Sequence, residues 1–287
     1  MQISQVADKV NEHDTRLWRI IQHHIKKIRK NEDFSNVTAV CIDETSEKKG
    51  HNYITIFADK VTGRVLFVCK GKDAATIGSF YVELWAHHGD PRKITQTCCD
   101  MSPAFIKGIS NYLTNAHIIF DKFHVMKLVN EAVDLVRRFE QKNNSALKNT
   151  RYLWLKGEDK LTENQKRLLG SLREMDLKTA RAYQMKINLQ HFWLIPDRET
   201  AEAFLKKWYF WLTHSRLDPM IELAKTIKRH WDGILNYFDY RVTNGLMEGL
   251  NSVVQSLKRN ARGYQNTDHF IVMIYLRCSG YKFEIPT

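Results

Sequence analysis

Five cysteines, Cys41, Cys69, Cys98, Cys99 and Cys278, are spread over 287 residues, and no two have CxxC spacing. Most sit in apolar, strand-like runs. They read as small core residues of a reducing compartment, which excludes a disulfide framework and a zinc knuckle. No apolar run approaches the ~20 residues of a membrane helix, and no signal peptide is recognisable. The expectation is a cytoplasmic protein without a membrane partner. Internal repeats and low-complexity segments are also lacking. Acid is in deficit: 32 Asp and Glu against 44 Lys and Arg give a formal charge of +12. A surface of that sign favours a polyanion, and nucleic acid is the commonest soluble one. With 43% hydrophobic residues the chain is globular, long enough for one large or two small domains.

What is present begins with a helical pattern over residues 1–30. Ile3, Val6, Ala7 and Val10 share one face, Asn11-Glu12-His13 interrupts it, and Asp14 is the expected cap of a second helix carrying Leu17, Trp18, Ile21, Ile25 and Ile28. The pair reads equally as a helix-turn-helix with a basic end (His23, His24, Lys26, Lys27, Arg29, Lys30) or as a helical hairpin packed on the next domain. Three strands follow, Val37–Ile42, Tyr53–Ala58 and Val65–Cys69, the last two joined through Thr62-Gly63. Asp43 and Glu44 stand at the end of the first, where a carboxylate is costly unless paired, hydrated or bound to a metal. A helix over 73–87 is expected to bury Ile77, Phe80, Tyr81, Leu84 and Trp85. A fourth strand over 93–99 ends at Asp100, and a helix over 104–113 turns Phe105, Ile109, Tyr112 and Leu113 inward. A fifth strand over 116–120 leads through Asp121 and His124 into a long helix. Asp121 reads best as the cap of that helix, and His124 as a core histidine. Hairpins first and helix-separated strands later predict a mixed, five-stranded α/β sheet with the strand order of a ribonuclease-H-like domain.

From residue 143 to 239 the strand signal vanishes. Thr162 with Gln165 forms a capping box, further helices follow, and five of the seven tryptophans lie here, mostly as the core of an all-α insertion. Stacking on bases is the competing use for one or two of them. The organisation expected is a segment 1–30, a first part of the core over 36–142, the insertion over 143–239, and a second part over 240–287. Thr243-Asn244 would cap a helix over 245–260. Its apolar positions are Leu246, Leu250, Val253 and Leu257, and its polar stripe is Glu248, Asn251, Ser252, Gln255 and Arg259.

Asp43, Asp100 and Glu248 come from distant parts of the chain. The first two end neighbouring strands at one sheet edge, and the third would lie on a helix crossing that edge. Three such carboxylates can hold two divalent cations about 4 Å apart for in-line displacement at phosphorus. Magnesium suits an all-oxygen donor set, with manganese able to substitute. Singly, each acid has a plainer reading: a hairpin turn, a helix cap and a solvated helix face. Glu44 would point to the opposite side of the strand from Asp43. Lys48, Lys49 and His51 form either phosphate contacts or a solvated hairpin tip. Lys258, Arg259 and Arg262 extend the glutamate helix in a basic run suited to the DNA backbone, beside Asn251 and Gln255 on the same stripe.

Four separated runs carry a resemblance: CIDETSEKKGHNYITIFAD, CCDMSPAFIKG, DKFHVMKLVNEAVDLVRR and NGLMEGLNSVVQSLKRNARGY. In the same order along almost the whole chain, they resemble the DDE transposases of bacterial insertion sequences, ISL3 branch. The resemblance implies a ribonuclease-H-like core with a helical insertion and catalytic acids at Asp43, Asp100 and Glu248. Asp43 would bridge two Mg2+ ions, with the other two acids holding one each. It implies cutting at terminal inverted repeats, joining of the freed 3′-hydroxyl to target DNA, and a homo-oligomer on DNA. Members usually open with a zinc-binding cysteine module. No cysteine precedes Cys41 here, so a truncated or partial copy is expected. A nuclease without strand transfer and a non-catalytic DNA-binding derivative are the alternatives.

Overall fold

A computed structural model describes residues 2–48, 52–241 and 245–281; the side chains of Glu47, Lys48, Glu158 and Glu248 are outside that description. The chain divides into two compact units, residues 1–119 with 242–287, and residues 120–241. In the first unit, α1 (Ile3–Val10) stops at Asn11, which takes the left-handed conformation (φ 52°). The next helix, α2 (Asp14–Lys30), begins one residue before expectation, with His13 rather than Asp14 at the cap.

The strands are β1 (Ala39–Lys48), β2 (Asn52–Asp59) and β3 (Val65–Lys70). Then come α3 (Ala74–Ala86), β4 (Gln96–Cys99), α4 (Pro103–Tyr112) and β5 (His117–Phe120). Their order across the sheet is β3-β2-β1-β4-β5. β2 is antiparallel to both β1 and β3, whereas β1 and β4 are parallel. This is the mixed five-stranded, ribonuclease-H-like α/β arrangement that the pattern of hairpins and helices predicts.

One boundary differs in a way that matters. β1 does not end at Ile42 but runs on to Lys48, because β2 keeps pairing with it: Asp43 opposite Ile56, Glu44 opposite Thr55, Thr45 opposite Ile54. Asp43 therefore stands within a strand, not at its exit. The fourth strand is shorter than expected, since Pro91–Lys93 form a 3-10 turn before it. On α3, Ile77, Phe80 and Leu84 are buried, but Trp85 is 48% exposed, its ring edge-on to Tyr81. Tyr112 is also at the rim (38% exposed). It lies over Gly78, where an added Cβ would come within 2.9 Å of its ring. The same close approach of α3 and α4 recurs at Gly108, whose missing Cβ leaves room for Ile77.

Side-chain alternation separates two sheet faces. Ile42, Phe57 and Phe67 lie on one, where Phe80 of α3 stacks on Phe57 at 4.4 Å. Cys41, Asp43 and Thr45 lie on the other.

Residues 245–281 return to this unit as α12 (Gly245–Asn260) and α13 (Thr267–Cys278), following in chain order the helices of the second unit. The expected cap at Thr243-Asn244 lies outside the described residues. Strand β3 is at the sheet's edge, where free backbone groups invite mispairing. Side chains cover them: the Tyr275 hydroxyl accepts from Val68 N at 2.8 Å, Arg29 donates to Leu66 O at 3.0 Å, and Ser279 donates to Val65 O at 3.1 Å. Arg29 also lies 4.0 Å over the Tyr275 ring and is paired with Glu32 and Glu83. This ties α2, α3, α13 and the edge strand together.

The second unit is helical: α5 (Lys122–Gln141), α6 (Arg151–Leu155), α7 (Glu163–Glu174), α8 (Lys178–Phe192), α9 (Arg198–Thr213), α10 (Asp218–Arg229) and α11 (Trp231–Tyr240). Asp121 caps α5 by accepting from Phe123 N at 2.7 Å, and the Thr162–Gln165 capping box opens α7. Trp154, Trp193 and Trp208 are buried. The indole N–H groups of Trp154 and Trp208 donate to Thr150 Oγ1 and Met185 O. These tryptophans are core; Trp211, at 39% exposure, is not.

Candidate active site

The parallel pairing of β1 with β4 is short: Ala39 opposite Gln96, Val40 opposite Thr97, Cys41 opposite Cys98. There β4 stops, while β1 continues beside β2. Two residues beyond the Cys41/Cys98 pair stand Asp43, still within β1, and Asp100, just past the end of β4. Asp43 keeps the parity of Cys41 within β1. Both are half-buried. A crevice at the carboxyl ends of adjacent parallel strands is where open α/β sheets present their chemistry.

Each carboxylate is held by its local backbone. Asp43 Oδ1 accepts from Glu44 N at 2.8 Å. Asp100 Oδ1 accepts from Ser102 N at 3.0 Å, closing a turn that leads into α4 at Pro103. Ser102 occupies the N-cap position but makes no side-chain cap bond, so the acid two residues earlier supplies the acceptor. Glu44 projects from the other face, 3.9 Å from Lys72 Nζ. Behind the acids, burial pushes the Cys99 thiol well above its ordinary range, with the charges of Asp100 and Asp43 adding to the effect. None of the five cysteines is in a disulfide, and burial also raises Cys69 to about 12 and Cys278 to about 11.

Helix α12 lies along the Asp43 face of β1. Asn251 Nδ2 donates to Asp43 Oδ2, Gln255 Nε2 donates to Thr45 Oγ1 at 2.9 Å, and Lys258 Nζ donates to Ser46 O. Four helical residues rise about 6.0 Å and two strand residues about 6.6 Å, so helix and strand stay in step from Asn251/Asp43 to Gln255/Thr45. The backbone of Glu248 sits one turn before Asn251, and its side chain is among the undescribed parts. Met247, Leu250 and Val254 are the buried apolar residues of this helix, whereas Val253 is 37% exposed. The sequence offers two overlapping apolar stripes here, and the helix buries the one that includes Met247 and Val254. Leu246 also meets the β2–β3 turn, where Gly63 takes φ +76° and its Cβ would lie 3.0 Å from Leu246 Cδ1.

The basic run separates accordingly. Asn251, Gln255 and Lys258, read from sequence as DNA contacts, are engaged with β1. Arg259 and Arg262 are exposed. Lys49 and His51 lie outside the described residues, as does the side chain of Lys48. Among the described residues, no group of three or more His, Cys, Asp or Glu side chains could hold a metal ion. Asp43 and Asp100 provide two carboxylates, and the oxygen-only character of the pair fits a hard cation that keeps most of its water.

Comparison with known proteins gives this geometry a family. Residues 40–274 match the model of a transposase family of the DDE class, ISL3 type. Transposases for insertion sequence element IS1557 from two Mycobacterium tuberculosis strains are each 28% identical over 302 residues, covering 94% of this chain and 67% of theirs. The transposase for insertion sequence element IS1001 from Bordetella parapertussis is 26% identical, covering 84% of this chain and 61% of its own length. The chain therefore spans about two thirds of the length of these relatives. Among the described residues, no helix is long and apolar enough to cross a membrane. The match extends from the second residue of β1 to the middle of α13, across every element that positions the two aspartates, and the chain belongs to the ISL3-type DDE transposases.

Proposed function

We propose that this chain cleaves phosphodiester bonds at the ends of an insertion sequence and transfers the freed 3′-hydroxyl to target DNA, using Asp43, Asp100 and Glu248 as the acidic triad. The observation that carries the reading is that Asp43 and Asp100 each stand two residues beyond the paired Cys41 and Cys98, with α12 hydrogen-bonded to Asp43. The family uses divalent ions, and Mg2+, with Mn2+ as a substitute, is the ion proposed for these oxygens. When bound, such an ion polarises the phosphoryl group and lowers the pKa of the attacking hydroxyl.

The protein's own part is positioning. Asp43 and Asp100 are fixed by the amides of Glu44 and Ser102, so they need little reorganisation when a substrate phosphate arrives. Half-burial lets them face a phosphodiester from one side while the sheet excludes water from the other. Arg259 and Arg262, exposed beyond the end of the β1 contact, would hold the DNA backbone. Terminal inverted repeats and a target duplex are the proposed substrates, acted on by a homo-oligomer.

The test uses the purified chain, labelled insertion-sequence ends, pre-cut and uncut, and a target plasmid in Mg2+ or Mn2+. The expected result is cleavage and a joined product for the wild type, and loss of both by at least 100-fold for D43N, D100N and E248Q. Hydrolysis without joining would remove the strand-transfer step. Activity retained in D100N would remove the assigned acids.

A further inference from the structure

Among the described residues of the site, Asp43 is held from two elements. Its Oδ1 takes the backbone N–H of Glu44, and its Oδ2 takes the side-chain amide of Asn251. The first bond fixes the carboxylate to its own strand. The second comes from α12, the helix that carries Glu248 one turn earlier. We infer that Asn251 is the positioning residue of this site: its amide sets the rotamer of Asp43 and, through that bond, the register at which the glutamate helix meets β1.

This rests on the reading of Asp43 and Glu248 as partners in one site. The arrangement is specific in three respects. Among the described polar residues of α12 that pair with β1, Asn251 bonds a carboxylate, whereas Gln255 reaches a hydroxyl and Lys258 a carbonyl. Asparagine is short, so the amide reaches Asp43 only when the helix backbone is close, and the bond reports the separation of the two elements as well as their register. Finally, Met247, Leu250 and Val254 bury the helix without fixing its slide along the strand, since apolar contacts have no direction. Directed bonds at 251, 255 and 258 supply that register, and the first of them is made to an acid.

A side chain that holds a metal-binding carboxylate from outside the coordination sphere typically changes affinity by 10–100-fold when removed. The test titrates Mn2+ into the full chain, read by calorimetry or by the Mn2+ electron paramagnetic resonance signal without DNA or turnover, in wild type, N251L, Q255L and D43N. Thermal melts without metal run in parallel. The proposal expects N251L to weaken Mn2+ binding about 10–100-fold, Q255L to change it by no more than about threefold, and D43N to abolish it. Should N251L melt too early to titrate, N251S removes the amide from a smaller side chain under the same criterion.

Wild-type affinity in N251L with loss in D43N would overturn the positioning role and leave the acids in place. Equal weakening in N251L and Q255L would reduce Asn251 to one of several helix-docking contacts and overturn its special role. Undiminished Mn2+ binding in D43N would defeat the underlying assignment and the inference with it, a pattern distinct from the other two.

Discussion

Arg29→Met removes the cation at the point where α2, α3, α13 and the edge strand meet. The guanidinium is paired with Glu32 at 2.9 Å and with Glu83, donates to Leu66 O at 3.0 Å, and covers the Tyr275 ring at 4.0 Å. Glu32 is only 8% exposed. Its carboxyl is already pushed above the ordinary range by burial, an effect that Arg29 opposes. Methionine fills similar volume, so the main loss is of charge. Breaking a buried pair by removing one partner costs about 3–5 kcal/mol, or roughly a 6–20 °C lower Tm for a unit of this size. The sign of the pH dependence follows from Glu32. An acid whose folded pKa is raised stabilises the fold below its unfolded pKa and loses that contribution as pH rises through the folded value. Without Arg29 the folded value climbs further, so the penalty of R29M should be larger at pH 7.5 than at pH 5. Urea titrations at the two pH values measure it, and R29M/E32Q should lose most of the pH dependence. A penalty equal at both pH values, or larger at pH 5, would refute this account of the cluster.

Gly108→Ala should destabilise by about 1–3 kcal/mol through overpacking, because its Cβ would stand 2.5 Å from Ile77 Cγ1 and 3.1 Å from Ala74 O; better helix propensity returns no more than about 1 kcal/mol. A urea midpoint unchanged from the wild type would contradict that packing. Asp43→Val should abolish cleavage yet leave the urea midpoint equal or higher, since its same-face neighbours Cys41 and Thr45 are buried and the strand interior favours a β-branched side chain. If Arg259 and Arg262 each meet a phosphate, replacing either by Ala should reduce the slope of log K against log salt by about 0.9 on duplex DNA, as read by fluorescence anisotropy across a salt series. An unaltered slope would exclude that residue from the DNA backbone.

The order of strands and helices was legible because each element carries its own period and caps. The hairpin turn at Gly63, the Thr162–Gln165 box and the Asp121 cap all act within a few residues of chain. Errors arose where a neighbour distant in sequence decided the outcome. Read alone, β1 stops at Ile42, since the Asp-Glu pair that follows and the Ser, Glu and two lysines beyond Thr45 have little strand propensity. Pairing with Ile56, Thr55 and Ile54 of β2 carries it onward. Trp85 and Tyr112 belong by period to buried faces, but the approach of α3 to α4 through Gly78 and Gly108 leaves both rings at the rim. The two aspartates and their place beside neighbouring strands could be read from sequence; the residue-by-residue register of β1 on β4 could not, because it depends on pairing between distant segments.

That register also explains why the acids stand where they do. Up to Cys41, β1 has a strand on each side and its side chains are buried. From Asp43 onward it keeps β2 but has lost β4, so one flank of the strand opens while the other stays fixed by a ladder that runs on to Lys48. A carboxylate placed earlier would be shut inside the sheet at high desolvation cost. Placed on a free loop, it would lack the backbone rigidity that holds its angle. Position 43 is the first on that face past the parallel ladder, and Asp100 stands directly after the end of β4. Asn251 then closes the site from above with a bond that only a helix in register can make. The polar residues of α12 thus divide by what lies beneath them: those over β1 define the geometry of the acids, and Arg259 and Arg262, past the last contact at Ser46, face solvent, where a polyanion can reach them.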